Sequence, residues 1–318
     1  MNVDQFNAAQ AWIRLQTPPS LDAHGIAARD RINAMATRWD GVAPLSDDAL
    51  LASHGALGHV VAWAGAAIVG YGFQAAAGGT AEVVVAPWAR GLGVGRALLQ
   101  EIGRTGATGV WAHGDLAAAR ALARWAGART VRELLVMSRP LTQAAENALA
   151  PTSPSRHTPP AGVTITDYQG PEDDVGLLRV NAAAFVDLAD QGSWTRTDVA
   201  ARMASDWWDP AGLFIARADT GEVVGFHWTK RRSPTEGEIY VLACDPDWQG
   251  RGVGRALIDV GLAHLAAGGA TTAILYVDSS NTSARTAYRK AGFTVRSRDV
   301  LYTRDSPAPL ARETIRTR

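Results

Sequence analysis

The chain lacks several features that would assign it to whole classes of protein. It has a single cysteine, Cys244, so an internal disulfide is excluded. Lys plus Arg and Asp plus Glu each number 31, and this balance gives no basic field that would favour nucleic acid or an anionic membrane as a partner. The longest apolar run, near residues 60–70, is too short to span a bilayer. The first residues lack the basic and apolar segments of a secretory signal, so we expect a cytoplasmic protein.

Residues 238–267 contain a predicted strand, a glycine-rich turn and a helix. The run 239–244 is apolar and β-prone, which is typical of a buried strand, and Asp-Pro-Asp at 245–247 ends it. Gln-Gly-Arg-Gly-Val-Gly follows at 249–254, and apolar residues then recur at helical spacing. A helix that begins on glycines favours an anion, because its first N–H groups are unpaired and its backbone can approach a ligand closely.

Two common phosphate-binding motifs do not fit this turn. The loop of NTPases needs Gly-Lys followed by Ser or Thr, and the third glycine of the dinucleotide fingerprint would fall on Leu257. The remaining pattern, Gln-x-x-Gly-x-Gly, resembles the pyrophosphate-binding motif of the GCN5-related N-acetyltransferases, whose co-substrate is acetyl-CoA. A glycine-rich turn that binds nothing is the alternative at this point.

A second motif follows the predicted strand at 272–277. Asn281 and Tyr288 are seven residues apart, which places them about two turns apart on one face of a helix. In the acetyltransferase family this Asn contacts the pantetheine arm and this Tyr reaches the thioester sulfur, while Gly-Phe at 292–293 ends the helix. The alternative for Tyr288 is an aromatic ring that only packs at the helix end.

The first half of the chain repeats the central element. Residues 87–98 align without a gap with residues 246–257, which predicts two copies of one domain. Between the copies, a stretch rich in Pro, Ser and Thr has no apolar period and is typical of a linker. We therefore predict an N-terminal domain at 1–147, a linker at 148–161 and a C-terminal domain at 162–318.

The two predicted copies differ at the positions that would do chemistry. The alignment places Gly79 at the position of Glu238, and it places Leu116 and Ala123 at those of Asn281 and Tyr288. The first copy keeps the glycine turn and lacks the reactive groups, so we predict that it is catalytically degenerate and that the second copy is catalytic.

A narrower resemblance covers nearly the whole chain. Residues 178–185, 191–194, 225–230 and 237–242, and residues 111–114 in the first half, are similar to the mycothiol synthases, a tandem group within the acetyltransferase family. The resemblance implies an α/β (mixed α+β) fold of two tandem domains, each a mixed, mostly antiparallel twisted sheet flanked by helices. It also implies transfer of acetyl from acetyl-CoA to the cysteinyl amine of cysteinyl-glucosaminyl-inositol. A tandem pair buries its own interface, so we expect a monomer.

The chemistry of acetyl transfer suggests roles for three residues. Glu238 can accept the proton that an amine must lose before it attacks a thioester, directly or through water. The family takes a backbone donor for the carbonyl oxygen from an irregular point of this strand, here near Leu242, and Tyr288 can protonate the departing thiolate. Because oriented binding supplies the rest, we expect no covalent enzyme intermediate and no metal. The alternative for Glu238 is a solvated carboxylate at a strand start.

The predicted acetyl-CoA site covers the strand end, the glycine turn and the start of the next helix, with a matching set in the first copy. The first copy either holds acetyl-CoA or is only a structural half. The predicted residues are Leu242, Ala243, Cys244, Gln249, Gly250, Arg251, Gly252, Val253, Gly254, Arg255, Asn281, Thr282, Ser283, Ala284, Arg285 and Thr286 in the second copy, and Val83, Val84, Val85, Gly91, Leu92, Gly93, Val94, Gly95 and Arg96 in the first.

The resemblance also implies residues for the sugar-inositol acceptor, which with Glu238 are Asp47, Asp190, Lys230 and Tyr276. The family commonly carries Glu where this chain has the two aspartates, so the charge is kept and the reach is one methylene shorter. Lys230 begins a Lys-Arg-Arg turn, for which an exposed basic hairpin is the alternative. His113, His227 and Cys244 are expected to be core residues.

Two other classes of function stay open. One is a tandem acetyltransferase for another amine, such as an aminoglycoside, a polyamine or a protein N-terminus, which a strongly acidic pocket would favour. The other is a non-catalytic acetyl-CoA-binding module, in which Glu238→Gln would change nothing measurable.

Overall fold

The computed structural model describes residues 13–51, 58–74, 78–141, 159–186 and 189–304. The chain divides into two compact units: unit 1 comprises residues 1–134 and 297–318, and unit 2 comprises residues 135–296. Within the described ranges, no helix is long and apolar enough to cross a membrane.

In its described residues, unit 1 begins with a strand and two helices, continues with three strands, and then alternates helices and strands. Its elements are β1 (Ile13–Gln16), α1 (Ala23–Asp40), α2 (Asp47–Leu51), β2 (Gly58–Ala64), β3 (Ala67–Gln74), β4 (Thr80–Val85), α3 (Val94–Arg104), β5 (Gly109–Ala112), α4 (Ala117–Ala126) and the first residues of β6 (Arg129–Pro140).

The described part of unit 2 follows the same order of elements, with three helices rather than two after its first full strand. Its elements are the last residues of β6, β7 (Val163–Asp167), α5 (Asp174–Ala184), α6 (Ala189–Gly192), α7 (Arg196–Met203), β8 (Leu213–Ala218), β9 (Val223–Arg231), β10 (Glu236–Cys244), α8 (Val253–Ala267), β11 (Thr272–Asp278), α9 (Thr282–Lys290) and the start of β12 (Thr294–Thr303).

The sheet of each unit is mostly antiparallel with one parallel pair. In unit 1 the order is β1-β2-β3-β4-β5-β12, and β4 and β5 are the parallel pair. In unit 2 the order is β6-β11-β10-β9-β8-β7, and β10 and β11 are the parallel pair. The predicted fold class of two mixed, mostly antiparallel sheets flanked by helices is confirmed.

The core of unit 1 lies between its sheet and two helices. Asp22 caps α1, because its Oδ1 accepts from the Gly25 N–H at 2.7 Å, and the helix ends at Gly41 with a positive φ of 72°. From α1, Ile32 and Ala36 are buried in the same apolar cluster as Val60, Tyr71 and Leu98. Helix α3 contributes Leu98 to this cluster, which fixes the helix that follows the first glycine turn.

The core of unit 2 covers both faces of its central strands. Eight consecutive residues of β9 are buried, a pattern typical of a strand packed on both sides. Helix α8 contributes Leu257, Ile258 and Leu262 to apolar clusters, and α5 contributes Leu177 and Val180. The predicted strand at 239–244 and the helix after the glycine turn are therefore present, and α8 is anchored by burial.

The unit boundaries differ from the predicted domain boundaries. Residues 297–304 belong to unit 1, where Val300, Leu301 and Tyr302 pair with β5, whereas the sequence assigns them to the second domain. Residues 135–141 belong to unit 2, where the Leu141 N–H donates to the Thr271 carbonyl at 2.8 Å. Most of the predicted linker at 148–161 lies outside the described residues, so that linker stays a prediction.

Candidate active site

The parallel pair of unit 2 is hydrogen-bonded over only part of its length. Residues 236–239 of β10 pair with residues 272–275 of β11. Both strands continue beyond this ladder, β10 to Cys244 and β11 to Asp278. Within the described part of the chain, no further pairs join the two strands there, and the backbone of residues 240–244 can therefore face a ligand on this edge.

A β-bulge lies at the point where this ladder ends. The register between β9 and β10 shifts between Ile239 and Val241, so Tyr240 is the extra residue. Bulges re-aim side chains and are frequent beside active sites. Leu242, the predicted backbone donor, follows two residues after the bulge. The sequence analysis expects an irregular point in this strand near Leu242, and the bulge is such a point.

The glycine turn has the backbone that an anion site needs. Gly250 and Gly252 have φ values of 73° and 94°, in the left-handed region that favours glycine. Gly252 is the N-cap of α8, and the first turn of that helix carries no acidic residue. A β-carbon added at Gly250, Gly252 or Gly254 would meet nothing within 4 Å. The amides at this helix start are thus open on the ligand side, so the turn fits a pyrophosphate.

The charged side chains near the turn are held by protein groups. Arg255 pairs with Asp259 at 3.0 Å and donates to the Lys290 carbonyl at 2.9 Å, so it links α8 to the end of α9. The guanidinium of Arg251 lies 5.0 Å from the centre of the Trp248 ring. Their predicted contacts with acetyl-CoA stay predictions.

Asn281 has a structural role that the sequence analysis missed. It is the N-cap of α9, and its Oδ1 accepts from the Ala284 N–H at 2.9 Å. An Asn directly before a helical pattern is a recognised start signal, so the sequence did contain this information. Arg285 donates to the Ser279 carbonyl at 2.6 Å and fixes the same turn. The cap fixes the start of α9, where Asn281 is predicted to contact the pantetheine arm.

Tyr288 is buried and packs edge-on against Phe293, with ring centroids 6.0 Å apart. The ring of Tyr288 therefore does pack at the helix end, as the alternative expected. Burial also raises the pKa of its phenol well above the ordinary value, so the hydroxyl keeps its proton at neutral pH. A protonated phenol suits the predicted role as a proton donor.

Glu238 and Lys230 are brought together. They are opposite residues of β10 and β9, and both side chains are buried. The Oε2 atom of Glu238 accepts from Nη1 of Arg232 at 2.9 Å. Two alternatives are therefore wrong: Glu238 is not a solvated carboxylate, and Lys230 is not part of an exposed basic hairpin. Strands β9 and β10 are largely apolar and shield these charges from water. A carboxylate shielded in this way can act on a substrate.

Three aromatic rings beside this pair form what we call the aromatic wall: Trp194, Trp207 and Tyr240. The rings of Trp207 and Tyr240 are 5.0 Å apart, and Lys230 Nζ lies 4.8 Å from the centre of the Trp207 ring. The guanidinium of Arg202 lies 4.0 Å from the centre of the Trp194 ring, and its Nε donates to the Tyr240 hydroxyl at 2.9 Å. Sequence reasoning missed the wall, because its members come from three separate segments.

The remaining acceptor residues are not all gathered at this place. Tyr276 is 41 % exposed on β11, just past the paired segment. Asp47 lies in unit 1 at the start of α2. Asp190 lies in α6, and its side chain is outside the described ones. Their roles with the acceptor stay predictions.

The three expected core residues differ in their contacts. His227 Nδ1 bonds the Leu257 carbonyl at 2.7 Å, and burial lowers its pKa to about 4. Burial, with Asp245 nearby, raises the pKa of Cys244 to about 11, so its thiol is unreactive at neutral pH. His113 Nδ1 lies 2.8 Å from Asp299 Oδ2, in a buried charged group of unit 1. None of the three joins a metal site: among the described residues no group of His, Cys, Asp and Glu is placed to hold a metal ion.

Unit 1 has the same turn and a cavity beside it. Gly93 is the N-cap of α3 with a φ of 89°, and Gly91 has a φ of 77°. Leu116 and Ala123 line the cavity, whose volume is about 790 Å³. Leu92 and Val94 are not among its lining residues, but the other predicted acetyl-CoA residues of this copy are: Val83, Val84, Val85, Gly91, Gly93, Gly95 and Arg96.

The counterpart of Glu238 in unit 1 is Thr80, one residue from the predicted Gly79. The ladder between β3 and β4 shows no register shift from Ala81 to Val85, so unit 1 lacks the bulge. Because β4 lacks the extra residue that β10 has at Tyr240, the alignment of the two units shifts by one residue at every position before the bulge. The parallel pairs agree, because Thr80 lies opposite Gly109 as Glu238 lies opposite Ile274.

Known proteins are similar to this chain in sequence. The family model described as Acetyltransferase (GNAT) family matches residues 182–293. A mycothiol acetyltransferase of Thermomonospora curvata is 45 % identical over 282 residues, which are 86 % of this chain and 91 % of that protein. A mycothiol acetyltransferase of Nocardia farcinica is 42 % identical over 295 residues, covering 89 % and 95 %.

Two solved structures share the fold of the chain. A GCN5-related N-acetyltransferase from Sphaerobacter thermophilus superposes with a TM-score of 0.67 at 21 % identity, over 91 % of this chain and 95 % of that one. A tandem GNAT protein from the clavulanic acid biosynthesis pathway superposes with a TM-score of 0.69 at 17 % identity, over 92 % and 98 %. These likenesses show the fold, and the sequence relatives with the family model show that the chain is an acetyl-CoA-dependent N-acetyltransferase that belongs to the mycothiol acetyltransferase family.

Proposed function

We propose that the chain transfers acetyl from acetyl-CoA to the cysteinyl amine of cysteinyl-glucosaminyl-inositol and so forms mycothiol. The names of the relatives from Thermomonospora curvata and Nocardia farcinica support this reaction. The structural observation that carries it is the buried carboxylate of Glu238 beside the β10 bulge. An amine is protonated in neutral water and must lose a proton before it attacks a thioester, so it needs such a base.

Glu238 is the proton acceptor in this proposal. The nitrogen of the acceptor forms a bond to the acetyl carbon, its proton passes to the Glu238 carboxylate, and the bond from carbon to sulfur breaks. The carbonyl oxygen gains negative charge during this step, and the backbone N–H near Leu242 donates to it. The bulge at Tyr240 supports this role, because it breaks the regular ladder on that strand.

Tyr288 donates its proton to the sulfur that leaves. The raised pKa of this phenol keeps the donor protonated over the range in which Glu238 must be ionised. Asn281 orders the start of α9 by capping it, and Tyr288 lies two turns later on the same helix. Acetyl-CoA itself supplies a reactive thioester, and the open glycine turn binds its pyrophosphate through backbone amides.

Unit 1 holds a second acetyl-CoA without turning it over. The cavity beside its glycine turn supports binding, and Thr80, Leu116 and Ala123 lack the groups that transfer needs. Unit 1 thus contributes a binding site and no chemistry.

The aromatic wall favours a hydroxylated ring over a polyamine as acceptor. Lys230 and Arg202 already place two positive charges over these rings, and a polyamine would bring more charge of the same sign. The faces of a sugar ring can stack on Trp207 and Tyr240 while cationic donors bond its hydroxyls. With Lys230 and Arg232 beside Glu238, the pocket is not strongly acidic, which the polyamine alternative would require.

Mass spectrometry of the products tests the proposal. Wild type is incubated with acetyl-CoA and cysteinyl-glucosaminyl-inositol, and acetylated acceptor is quantified, because a thiol-reactive dye would also detect the thiol of the acceptor. Glu238→Gln should lower the rate about a hundredfold or more, since it removes a general base. Glu236→Gln is the matched control: Glu236 lies on the same strand and pairs with Arg296 at 2.7 Å.

Each outcome of this test separates the alternatives. No product with bound acetyl-CoA would refute the acceptor and direct the search to other amines. Product formation unchanged in Glu238→Gln would refute the mechanism, and binding without turnover on any amine would favour the non-catalytic module.

A further inference from the structure

We infer that Arg232 is a positioning residue that acts through Glu238: its ion pair keeps the Glu238 carboxylate ionised and so sets the acid limit of activity. This inference rests on the proposed role of Glu238 as proton acceptor. Nothing in the glycine turn or in the predicted acceptor set assigns a role to Arg232.

The hairpin between β9 and β10 fixes the backbone of Arg232. The N–H groups of Arg232 and Ser233 both donate to the Glu236 carbonyl, at 3.0 and 3.2 Å. The Glu236 N–H in turn donates to Ser233 Oγ at 3.0 Å. A turn closed by three hydrogen bonds leaves the side chain of Arg232 with a defined starting point beside β10.

From that point the guanidinium of Arg232 reaches the base. Its Nη1 lies 2.9 Å from Glu238 Oε2. The side chain of Glu238 is 7 % exposed and that of Arg232 is 27 % exposed, so the ion pair is shielded from water on the carboxylate side. A charge-assisted hydrogen bond of this kind fixes the carboxylate plane and favours the charged form.

The surroundings of Glu238 include further charges. Lys230 is opposite it on β9, and Ile274 is opposite it on β11, with Tyr276 two residues beyond. Glu236 lies two residues earlier on β10 and is paired with Arg296. Lys230 and Arg232 favour the ionised carboxylate of Glu238, and Glu236 opposes it. The loss of Arg232 therefore shifts this balance toward the protonated form.

Arg231, the preceding residue, is a matched control within the same turn. Its guanidinium donates to the carbonyls of Pro234 and Gly268. Arg231→Gln and Arg232→Gln therefore remove the same charge at adjacent positions, and only the latter removes the hydrogen bond to Glu238 that the structure describes. A comparison of the two variants separates local contact from net charge.

The test is the pH dependence of kcat/KM for wild type, Arg232→Gln, Arg232→Lys and Arg231→Gln, with acetyl-CoA and the proposed acceptor. The acid limb of the Arg232→Gln profile should move to higher pH, so that kcat/KM at a given pH on that limb is about tenfold lower. The reason is that an opposite charge at this distance shifts the pKa of a carboxyl group by a unit or more. At alkaline pH, Arg232→Gln should approach wild type. Arg232→Lys should keep its limb near that of wild type, and Arg231→Gln should match wild type.

An unmoved limb in Arg232→Gln, or an equal shift in Arg231→Gln, would overturn the inference. So would activity lost equally at every pH. If Arg232→Gln does not fold, Arg232→Lys still decides: loss of activity at acid pH in that charged variant would overturn the inference.

A carbon-13 NMR titration of the Glu238 carboxyl group, assigned with Glu238→Gln, gives a readout that does not depend on the acceptor. We expect this carboxyl to titrate at higher pH in Arg232→Gln than in wild type, and equal titration would overturn the inference. Full activity in Glu238→Gln would instead refute the proposed function, whereas an inactive Glu238→Gln with an unmoved Arg232→Gln limb would refute only the role of Arg232.

Discussion

Unit 1 and unit 2 carry the same glycine turn and differ in the strand that precedes it. Gly93 and Gly252 are both left-handed N-caps, with φ values of 89° and 94°. Strand β10 contains the bulge at Tyr240, whereas β4 pairs regularly with β3. Both units have the turn that we propose to bind pyrophosphate, and the bulge and its neighbours distinguish the unit with the buried carboxylate of Glu238.

The two units also use buried charge differently. In unit 2, the carboxylate of Glu238 lies beside two cations, two residues before the bulge of β10. In unit 1, Glu82 accepts from the Ser46 N–H at 2.7 Å, and Asp299 bonds His113. The buried charges of unit 1 are thus committed to internal contacts, which is consistent with binding without catalysis.

The largest expected effect comes from removal of the hydroxyl that unit 1 lacks. Tyr288→Phe should lower kcat about a hundredfold, because a positioned general acid typically contributes that much, while the ring still packs on Phe293. Binding of acetyl-CoA, measured by calorimetry, should be unchanged. The control is Tyr168→Phe in the same unit, which removes a hydroxyl bonded to Asp174 at 2.7 Å. Equal kcat in Tyr288→Phe and wild type would show that unit 2 does not need the group that distinguishes it.

A smaller effect is expected from closing the glycine turns one at a time. Gly252→Val should raise KM for acetyl-CoA about tenfold or more, because a β-branched residue is strained at positive φ by a few kcal/mol. Gly93→Val should leave kcat unchanged and remove one bound acetyl-CoA. Titration calorimetry should give two equivalents per chain in wild type and one in Gly93→Val.

A single equivalent in wild type would mean that the cavity of unit 1 is only structural. Loss of kcat in Gly93→Val, with a folded protein, would break the division between a binding copy and a catalytic copy.

The features predicted from sequence are those with a local signal. The glycine turn, the helix after it and the repeat at 87–98 follow from residue types at fixed spacing. Glu238 was predicted because a carboxylate on this strand can accept the proton of the amine, and its role stays a proposal.

The features that were missed depend on how strands pair. The resemblance implied an irregular point in β10, but its position at Tyr240 is a property of the pairing with β9, and no residue type marks it. For the same reason the alignment chose Gly79 rather than Thr80. The pairing of β12 with β5 joins residues about 190 positions apart, and apolar alternation alone does not choose between sheets.

The smallest expected effect concerns stability against pH, which should change in opposite directions in the two units. In unit 2, burial lowers the pKa of His227 to about 4, so the unfolded chain takes up the proton first. The stability that His227 contributes is therefore present above its ordinary pKa of 6.5 and lost as pH falls toward 4. In unit 1, burial disfavours the charged form of His113, but the carboxylates of Asp299 and Glu82 outweigh it and raise the pKa to about 10. Its contribution is present below 6.5 and lost as pH rises through 10.

Calorimetric unfolding between pH 4 and 10 checks both arms, with His227→Gln and His113→Gln as variants. The arm for His227 is worth on the order of 3 kcal/mol over its range, since each pKa unit corresponds to about 1.4 kcal/mol. His227→Gln should flatten the loss of stability on the acid side, and His113→Gln should flatten it on the alkaline side. Each variant is the control for the other, because both remove one imidazole from a buried position. If His113→Gln keeps the alkaline slope of wild type, the charged group of unit 1 does not stabilise that unit, and the contrast between the two copies reduces to the base, the bulge and the tyrosine of unit 2.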